Sequence, residues 1–241
     1  MFHFKHFSLY HDRSTLKIGT DSVLLASVVP VKKATRILDI GCGCGVITFC
    51  LSYRKSLSGS PSHLTGIDID LHSVEEARLN RKIFPVYPGQ SIEFRLSSLQ
   101  QYTPLHIHDY DLIVTNPPYF SLSLKPQSIK NLKSKHRDHL LSFEDLIGNV
   151  CRLLSENGEF YLILPPAESE EFRKKAQQHL HLFYTCPIYP KPGKPFHRII
   201  SGYSKERREP YITPALYIRD VNNRYTIDYR KVTESFYLDL R

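Results

Sequence analysis

The run Asp111-Leu112-Ile113-Val114-Thr115-Asn116-Pro117-Pro118-Tyr119 carries residue types that can grip a flat nitrogen substrate. Its apolar part reads as a buried strand, and its end reads as an Asn-Pro-Pro-Tyr turn. The Asn116 amide has one acceptor oxygen and one donor NH2 group. The residue before a proline avoids the helical region, so the Pro117 carbonyl is not committed to a helix. The Asn116 oxygen and the Pro117 carbonyl can then accept the two hydrogens of one planar amine. Tyr119 adds a ring face for stacking. This is equipment for alkylating the nitrogen of an exocyclic amine or amide. An Asn-Pro turn after a strand is also a common connection with no chemistry in it, so the tetrapeptide needs a second motif beside it.

That motif is Asp39-Ile40-Gly41-Cys42-Gly43-Cys44-Gly45, which follows the apolar run Arg36-Ile37-Leu38 and precedes a helical pattern. Glycines permit unusual dihedrals and close approach of the backbone to a ligand. A strand, a glycine turn and a helix open a nucleotide-binding α/β unit. A dinucleotide fingerprint wants its third glycine one residue later, at Val46. Asp39 would repel a pyrophosphate, but it suits a cationic ligand such as the amino group of S-adenosylmethionine. The next apolar run, Leu64–Ile67, ends in Asp68, whose carboxylate can accept from ribose hydroxyls. Asp70 is better placed to cap the helix that follows.

Together these segments resemble the class I S-adenosylmethionine-dependent methyltransferases that act on amino groups. The blocks Phe2–Phe7, His11–Leu25, Tyr225–Tyr229 and Phe236–Leu238 narrow the resemblance. With the Asn-Pro-Pro-Tyr-Phe run, they look like the bacterial family that methylates the amino group of adenine 37 in a valine tRNA. The likeness runs from about residue 2 to 239. It implies S-adenosylmethionine as cofactor, tRNA as partner, and Lys17 and Thr20 near the methionine end. Cys42 and Cys44 stand where small residues are usual in the family. Ser97-Ser98-Leu99 replaces the acid often found after the third strand, which leaves open whether Ser97 or Ser98 meets the cofactor's adenine.

Several elements must position these residues. Strand-like runs cover 36–40, 64–68, 92–96, 110–115 and 158–164, and helical patterns cover 45–54, 71–82, 142–154 and 167–180. Their alternation predicts a doubly wound, mostly parallel sheet of Rossmann-like type. Gly158 is expected to stop a helix and open a strand. The runs 182–189 and 196–203 flank Pro190–Pro195 and predict an antiparallel hairpin that ends a seven-stranded sheet. The glycine loop, Asp68, Ser97, Ser98 and Asn116 would all lie at carboxyl ends of strands, where such sheets bind ligands. Residues 1–241 are expected to form one methyltransferase domain. Residues 1–30 would fold over the cofactor site, with Asp21 as a possible helix cap, and 120–140 would form a substrate loop.

The composition sets bounds. Hydrophobic residues are 41% and charged residues 23%, ordinary for a soluble globular chain. No apolar run is long enough to span a bilayer, and the N-terminus lacks a signal-peptide core. Five cysteines cannot all pair, and three lie between 42 and 50. Reduced thiols, a cytoplasmic site and a monomer are the simpler expectations. The net charge of +8 suits a nucleic-acid partner. Lys125, Lys130, Lys133, Lys135, His136 and Arg137 flank the expected pocket, and Lys191, Lys194, His197 and Arg198 form a second group; both are candidates for RNA phosphates. Lys205, Arg207 and Arg208 read as a solvated surface. His106/His108 and His179/His181 lack companions at metal-ligand spacing, so no metal is expected.

Three rivals remain at this level. A release-factor glutamine methyltransferase shares Asn-Pro-Pro-Tyr but carries a helical domain before its glycine loop, which here begins at residue 41. A DNA adenine methyltransferase calls for a target-recognition domain, and none is visible. A non-catalytic RNA-binding module would not be expected to keep Asp39, the three glycines, Asp68 and Asn116.

Overall fold

The computed structural model describes residues 1–14, 17–104, 108–117 and 141–238. Pro118, Tyr119, Phe120, the proposed loop 120–140 with its basic group Lys125–Arg137, and His106 lie outside the described residues.

A short hairpin, β1 (Phe2–His3) and β2 (Ser8–Leu9), precedes α1 (Thr20–Val28). The alternating core follows as β3 (Arg36–Ile40), α2 (Val46–Ser56), β4 (Ser62–Asp68), α3 (Leu71–Ile83), β5 (Gln90–Leu96) and β6 (Tyr110–Thr115). Then come α4 (Phe143–Leu153), β7 (Leu154–Leu164), α5 (Pro166–Ala176), β8 (His181–Tyr189) and β9 (Arg198–Ser204). The chain closes with β10 (Tyr211–Ile212), β11 (Leu216–Tyr217) and α6 (Ile227–Thr233).

Among the described residues the main sheet holds nine strands in the order β10-β8-β9-β7-β6-β3-β4-β5, with β11 also on β8. Seven are long, as the sequence predicts. β9 is antiparallel to both β7 and β8, so it is the reversed strand, set between two that run with the rest. β10 and β11 extend the β8 edge in parallel register.

Successive strand residues enter opposite cores. Ile37, Leu112 and Val114 pack with α1, α2, α3 and α6 on one face, while Leu38, Ile113 and Phe160 pack with α4 and α5 on the other. Burial on both faces is why these strands read as continuous apolar runs rather than alternating ones.

Two local expectations are corrected. β7 starts at Leu154, directly after α4, and Gly158 lies inside it. Tyr110 pairs with Leu154 but Leu112 pairs with Glu159, so Ser155-Glu156-Asn157 bulges out of the ladder instead of separating helix from strand. Asp21 does not cap α1. Gly19 is the N-cap and makes no side-chain cap bond; Asp21 accepts from Arg198 Nε at 2.7 Å. Asp70 does cap α3, accepting from Ser73 N at 3.1 Å.

Candidate active site

Strand register gathers the expected residues at the carboxyl edge. Ile40 pairs with Thr115 on one side and Ile67 on the other, and Asp68 pairs with Leu96. One step beyond the Thr115–Ile40–Ile67 row, Asn116, Gly41 and Asp68 follow one another across β6, β3 and β4, and Ser97 comes one residue after Asp68's partner Leu96, just past the end of β5. At the usual strand spacing they span about 14 Å, the reach of an extended nucleoside joined to an amino acid.

The glycine loop lies at the middle of this row. Gly41 and Cys42 both donate to Ile67 O, at 2.9 and 3.0 Å. Gly45 stands at φ +90°, and a Cβ there would come within 2.6 Å of Phe49 and 2.8 Å of Phe94. Only glycine lets β3 turn into α2 over these rings. Gly41, at φ +69°, has no heavy atom within 4 Å of the position a Cβ would take, so the loop leaves open space over its first turn.

Asp39 is 1% exposed, and its Oδ2 accepts from Thr48 N at 3.1 Å and Thr48 Oγ1 at 2.7 Å. It thereby serves an orphan donor in the first turn of α2, a structural duty the sequence did not disclose. Its Oδ1 is buried without a partner among the described residues. Burial pushes the carboxyl up to about 7, against the lowering effect of Thr48, and nearby Asp68 adds repulsion. A cation or other donor reaching Oδ1 would relieve both the missing bond and the repulsion. Asp68 is held by Gly43 N on Oδ2 at 2.8 Å and by Asp70 N on Oδ1 at 2.9 Å. Each oxygen keeps a further lone pair for ribose hydroxyls. Burial raises its carboxyl too. The donor set therefore fits a ligand that carries a cation at one end and a diol farther along.

Beyond β5, Ser97 N donates to Asp68 O, and Ser97 Oγ to Ser98 O at 2.9 Å. Ser98 Oγ accepts from Gln101 N at 3.2 Å, which commits it to its own turn. At the other end Thr115 Oγ1 donates to Ile40 O at 2.8 Å and ties the base of the Asn116 turn to the glycine strand. Asn116 is half-buried and donates from Nδ2 to Ser22 Oγ at 3.0 Å; Pro117 is buried.

The N-terminal segment reaches this site along α3. Glu76, 1% exposed, accepts from the backbone N–H groups of Asp12, Arg13 and Ser14 at 2.8–2.9 Å. Such pairing is what makes a buried carboxylate tolerable. Asn80 clamps both backbone groups of Tyr10 and also donates to Cys44 O. Ser14 Oγ bonds Ser73 Oγ at 2.9 Å and lies 3.3 Å from where a Gly43 Cβ would be. Thr20 opens α1 and is exposed. Lys17 is exposed, and two of its three donors hold the carbonyls of His11 and Asp12.

The hairpin loop with Lys191 and Lys194 lies at the same carboxyl edge, because β8 runs parallel to β7. Arg198 is engaged by Asp21, and His197 Nδ1 is buried without a partner among the described residues, with burial and Arg198 lowering the ring's pKa. Lys205 and Arg208 fall at the opposite edge, where they pair with Glu156 and Glu159. Sequence reasoning missed Ser22, Glu76 and Ile69. Ile69 follows Asp68 and is 50% exposed, an apolar face left open beside the acid. Ser22 lies inside the quoted N-terminal block; Glu76 gave no signal, because its partners are backbone groups about sixty residues away.

Among the described residues no group of three or more His, Cys, Asp or Glu side chains could hold a metal, and no helix is long and apolar enough to cross a membrane. All five cysteines are unpaired.

Comparison with known proteins agrees with this geometry. A family model described as a methyltransferase domain matches residues 31–209. The chain is 35% identical to a tRNA1(Val) (adenine(37)-N6)-methyltransferase of Phocaeicola vulgatus, over 99% of this chain and 98% of that one. It is 31% identical to the enzyme of the same name from Yersinia enterocolitica, over 99% and 92%. A solved structure of a predicted O-methyltransferase from Agrobacterium tumefaciens superposes with a TM-score of 0.68 at 19% identity, covering 90% of this chain and 96% of that one. That likeness establishes the class I methyltransferase fold.

Proposed function

Because the chain belongs to the tRNA1(Val) (adenine(37)-N6)-methyltransferase family, we propose that its carboxyl-edge row binds S-adenosylmethionine and presents the amine of adenine 37 of a valine tRNA to Asn116. The enzyme is an S-adenosylmethionine-dependent methyltransferase acting on the exocyclic amino group of adenine in tRNA. The observation that carries the site assignment is the alignment of Asn116, Gly41 and Asp68 at the ends of three neighbouring strands, with Ser97 just past the end of the fourth.

Asp39 Oδ1 would meet the cofactor's amino group, and Gly41, Gly43 and Gly45 would let its methionine part lie close to the backbone. Asp68 would hold the ribose hydroxyls. Ile69 would cover the adenine, and Ser97 or Ser98 would meet its edge. Thr20 and Lys17 would border the methionine end from α1 and the segment before it. The cofactor supplies an activated methyl group, so the chain needs no nucleophile or metal of its own.

The adenine amine is a poor nucleophile, because its lone pair is delocalised into the ring. Asn116 Oδ1 and the Pro117 carbonyl would hold its two hydrogens and leave the lone pair directed at the methyl. Positioning of this kind accounts for much of a catalysed transfer. A base in a folded tRNA must leave its stack to enter such a pocket. Tyr119, with Pro118 shaping its turn, would replace the lost stacking, worth ~1–3 kcal/mol per base. Lys191 and Lys194, on the site's own edge, would take RNA phosphates, joined by Lys125, Lys130, Lys133, Lys135, His136 and Arg137. Arg198, drawn into the Asp21 pair, would serve mainly to fix the hairpin. We take 1–241 as one domain at work in the cytoplasm, a reading supported by the terminal segments packing into the same core and by the unpaired cysteines.

Asn116→Ala tests the assignment. Single-turnover transfer to unmodified tRNA should fall at least ~100-fold, the scale of losing one preorganised polar partner, while cofactor affinity holds. A near-normal rate would reduce the Asn-Pro-Pro-Tyr segment to an ordinary turn.

A further inference from the structure

An amide side chain does its work only in the right rotation. The last torsion of asparagine is broad and roughly two-fold, so packing alone does not choose which end faces the substrate. Asn116 must direct its oxygen at the adenine amine; with the group turned over, its NH2 would meet the amine's hydrogens, donor against donor. The backbone below it is fixed by Thr115 Oγ1 on Ile40 O, but that bond does not restrain the amide plane.

We propose that Ser22 is a positioning residue for methyl transfer, its hydroxyl tethering the Asn116 amide through Nδ2 and so fixing the plane in which that amide meets the target amine. The contact is 3.0 Å long and joins residues 94 apart in sequence. Ser22 is 8% exposed. Its hydroxyl does not cap α1, whose N-cap is Gly19 without a side-chain cap bond; the bond leaves the helix toward Asn116. The helix makes a firm anchor. Val23, Leu24, Leu25 and Ala26 are fully buried, and α1 packs on α2, α6 and β7. The residue before Ser22 adds a second tether: Asp21 pairs with Arg198 Nε at 2.7 Å, both side chains being mostly buried. The first turn of α1 is thus joined through adjacent side chains to the Asn-Pro turn and to the start of β9, where the basic hairpin loop ends.

This inference rests on Asn116 being the acceptor for the amine, and a mutant cycle separates the two claims. Ser22→Ala removes the hydroxyl, and alanine suits a helix, so the fold should persist. Single-turnover rates at saturating tRNA and cofactor are compared for wild type, Ser22→Ala, Asn116→Ala and the double variant. Ser22→Ala should slow transfer about ten- to a hundredfold, as misplacement of a catalytic group does. Dissociation constants for S-adenosylmethionine and tRNA should stay within about twofold, because the hydroxyl acts on orientation and not on binding. In the Asn116→Ala background, Ser22→Ala should change the residual rate little, since residues that act through one another are not additive. If Asn116→Ala is crippled while Ser22→Ala transfers at the wild-type rate, the positioning role is overturned and the acceptor assignment stands. An equal slowing by Ser22→Ala in both backgrounds also overturns it, because Ser22 would then act independently of Asn116. A normal rate in Asn116→Ala overturns the acceptor assignment itself.

Discussion

Burial lifts the Asp39 carboxyl to about 7, from 3.8, and this has consequences for both stability and binding. A folded-state value above the unfolded one contributes stability that is complete below about pH 4 and is lost as pH rises through about 7. Asn in its place could still accept from Thr48 without carrying the charge. Asp39→Asn should therefore make the ligand-free protein more stable than wild type at pH 8, by up to about 4 kcal/mol, with the gap closing toward pH 5. Urea unfolding at the two pH values checks this. A cationic ligand reverses the preference, because it needs the carboxylate. S-adenosylmethionine should bind wild type more tightly at pH 7.5 than at pH 6, and Asp39→Asn should bind weakly, without that slope. Calorimetry showing the same slope in both proteins would remove Asp39 from the cofactor site. The sequence disclosed Asp39 as an acid before a glycine loop, but not its bond to Thr48, because a strand end and a first helical turn meet only after the chain has folded around the loop.

Among the elements, those with a strong local pattern were legible. β3 and β6 run over the residues their apolar runs predict, and α3 starts at the cap Asp70 supplies. What local pattern could not give was contact between distant segments. Glu76 looks like a surface acid on an amphipathic helix until the backbone of 12–14 closes on it. The start of β7 was misplaced because Ser155-Glu156-Asn157 has the composition of a turn but folds as a bulge within the strand. The pairs Asp21–Arg198 and Ser22–Asn116 join residues 177 and 94 apart, beyond any periodicity. The hairpin loop, though legible from its prolines, gained its meaning from topology, which sets it at the same edge as Asn116. If Lys191 and Lys194 touch phosphates there, replacing both with alanine should reduce the slope of log affinity against log salt for tRNA by roughly one to two. Cofactor affinity should be unaffected. An unchanged slope would leave the phosphate contacts to the group at 125–137.

At the scale of the whole molecule, the sheet has two unlike edges. The amino edge carries basic side chains balanced by acids, with Lys205 and Arg208 held by Glu156 and Glu159. The carboxyl edge brings together the glycine loop, Asp68, Asn116 and the lysines of the hairpin loop. Lys191 and Lys194 thus stand on the side where a folded RNA could approach with an unstacked base leading. Such a base belongs to a single-stranded loop, where extrusion costs least. Adenine 37 of a valine tRNA is the base whose amine this edge would receive. The direct measurement is transfer of labelled methyl from S-adenosylmethionine to unmodified valine tRNA, followed by nuclease mapping and mass spectrometry of the nucleosides. One N6-methyladenine per tRNA is expected, at position 37, and none when adenine 37 is replaced by guanine. Label at another position, on protein or DNA instead of tRNA, or nowhere in the presence of folded protein and cofactor, would contradict it.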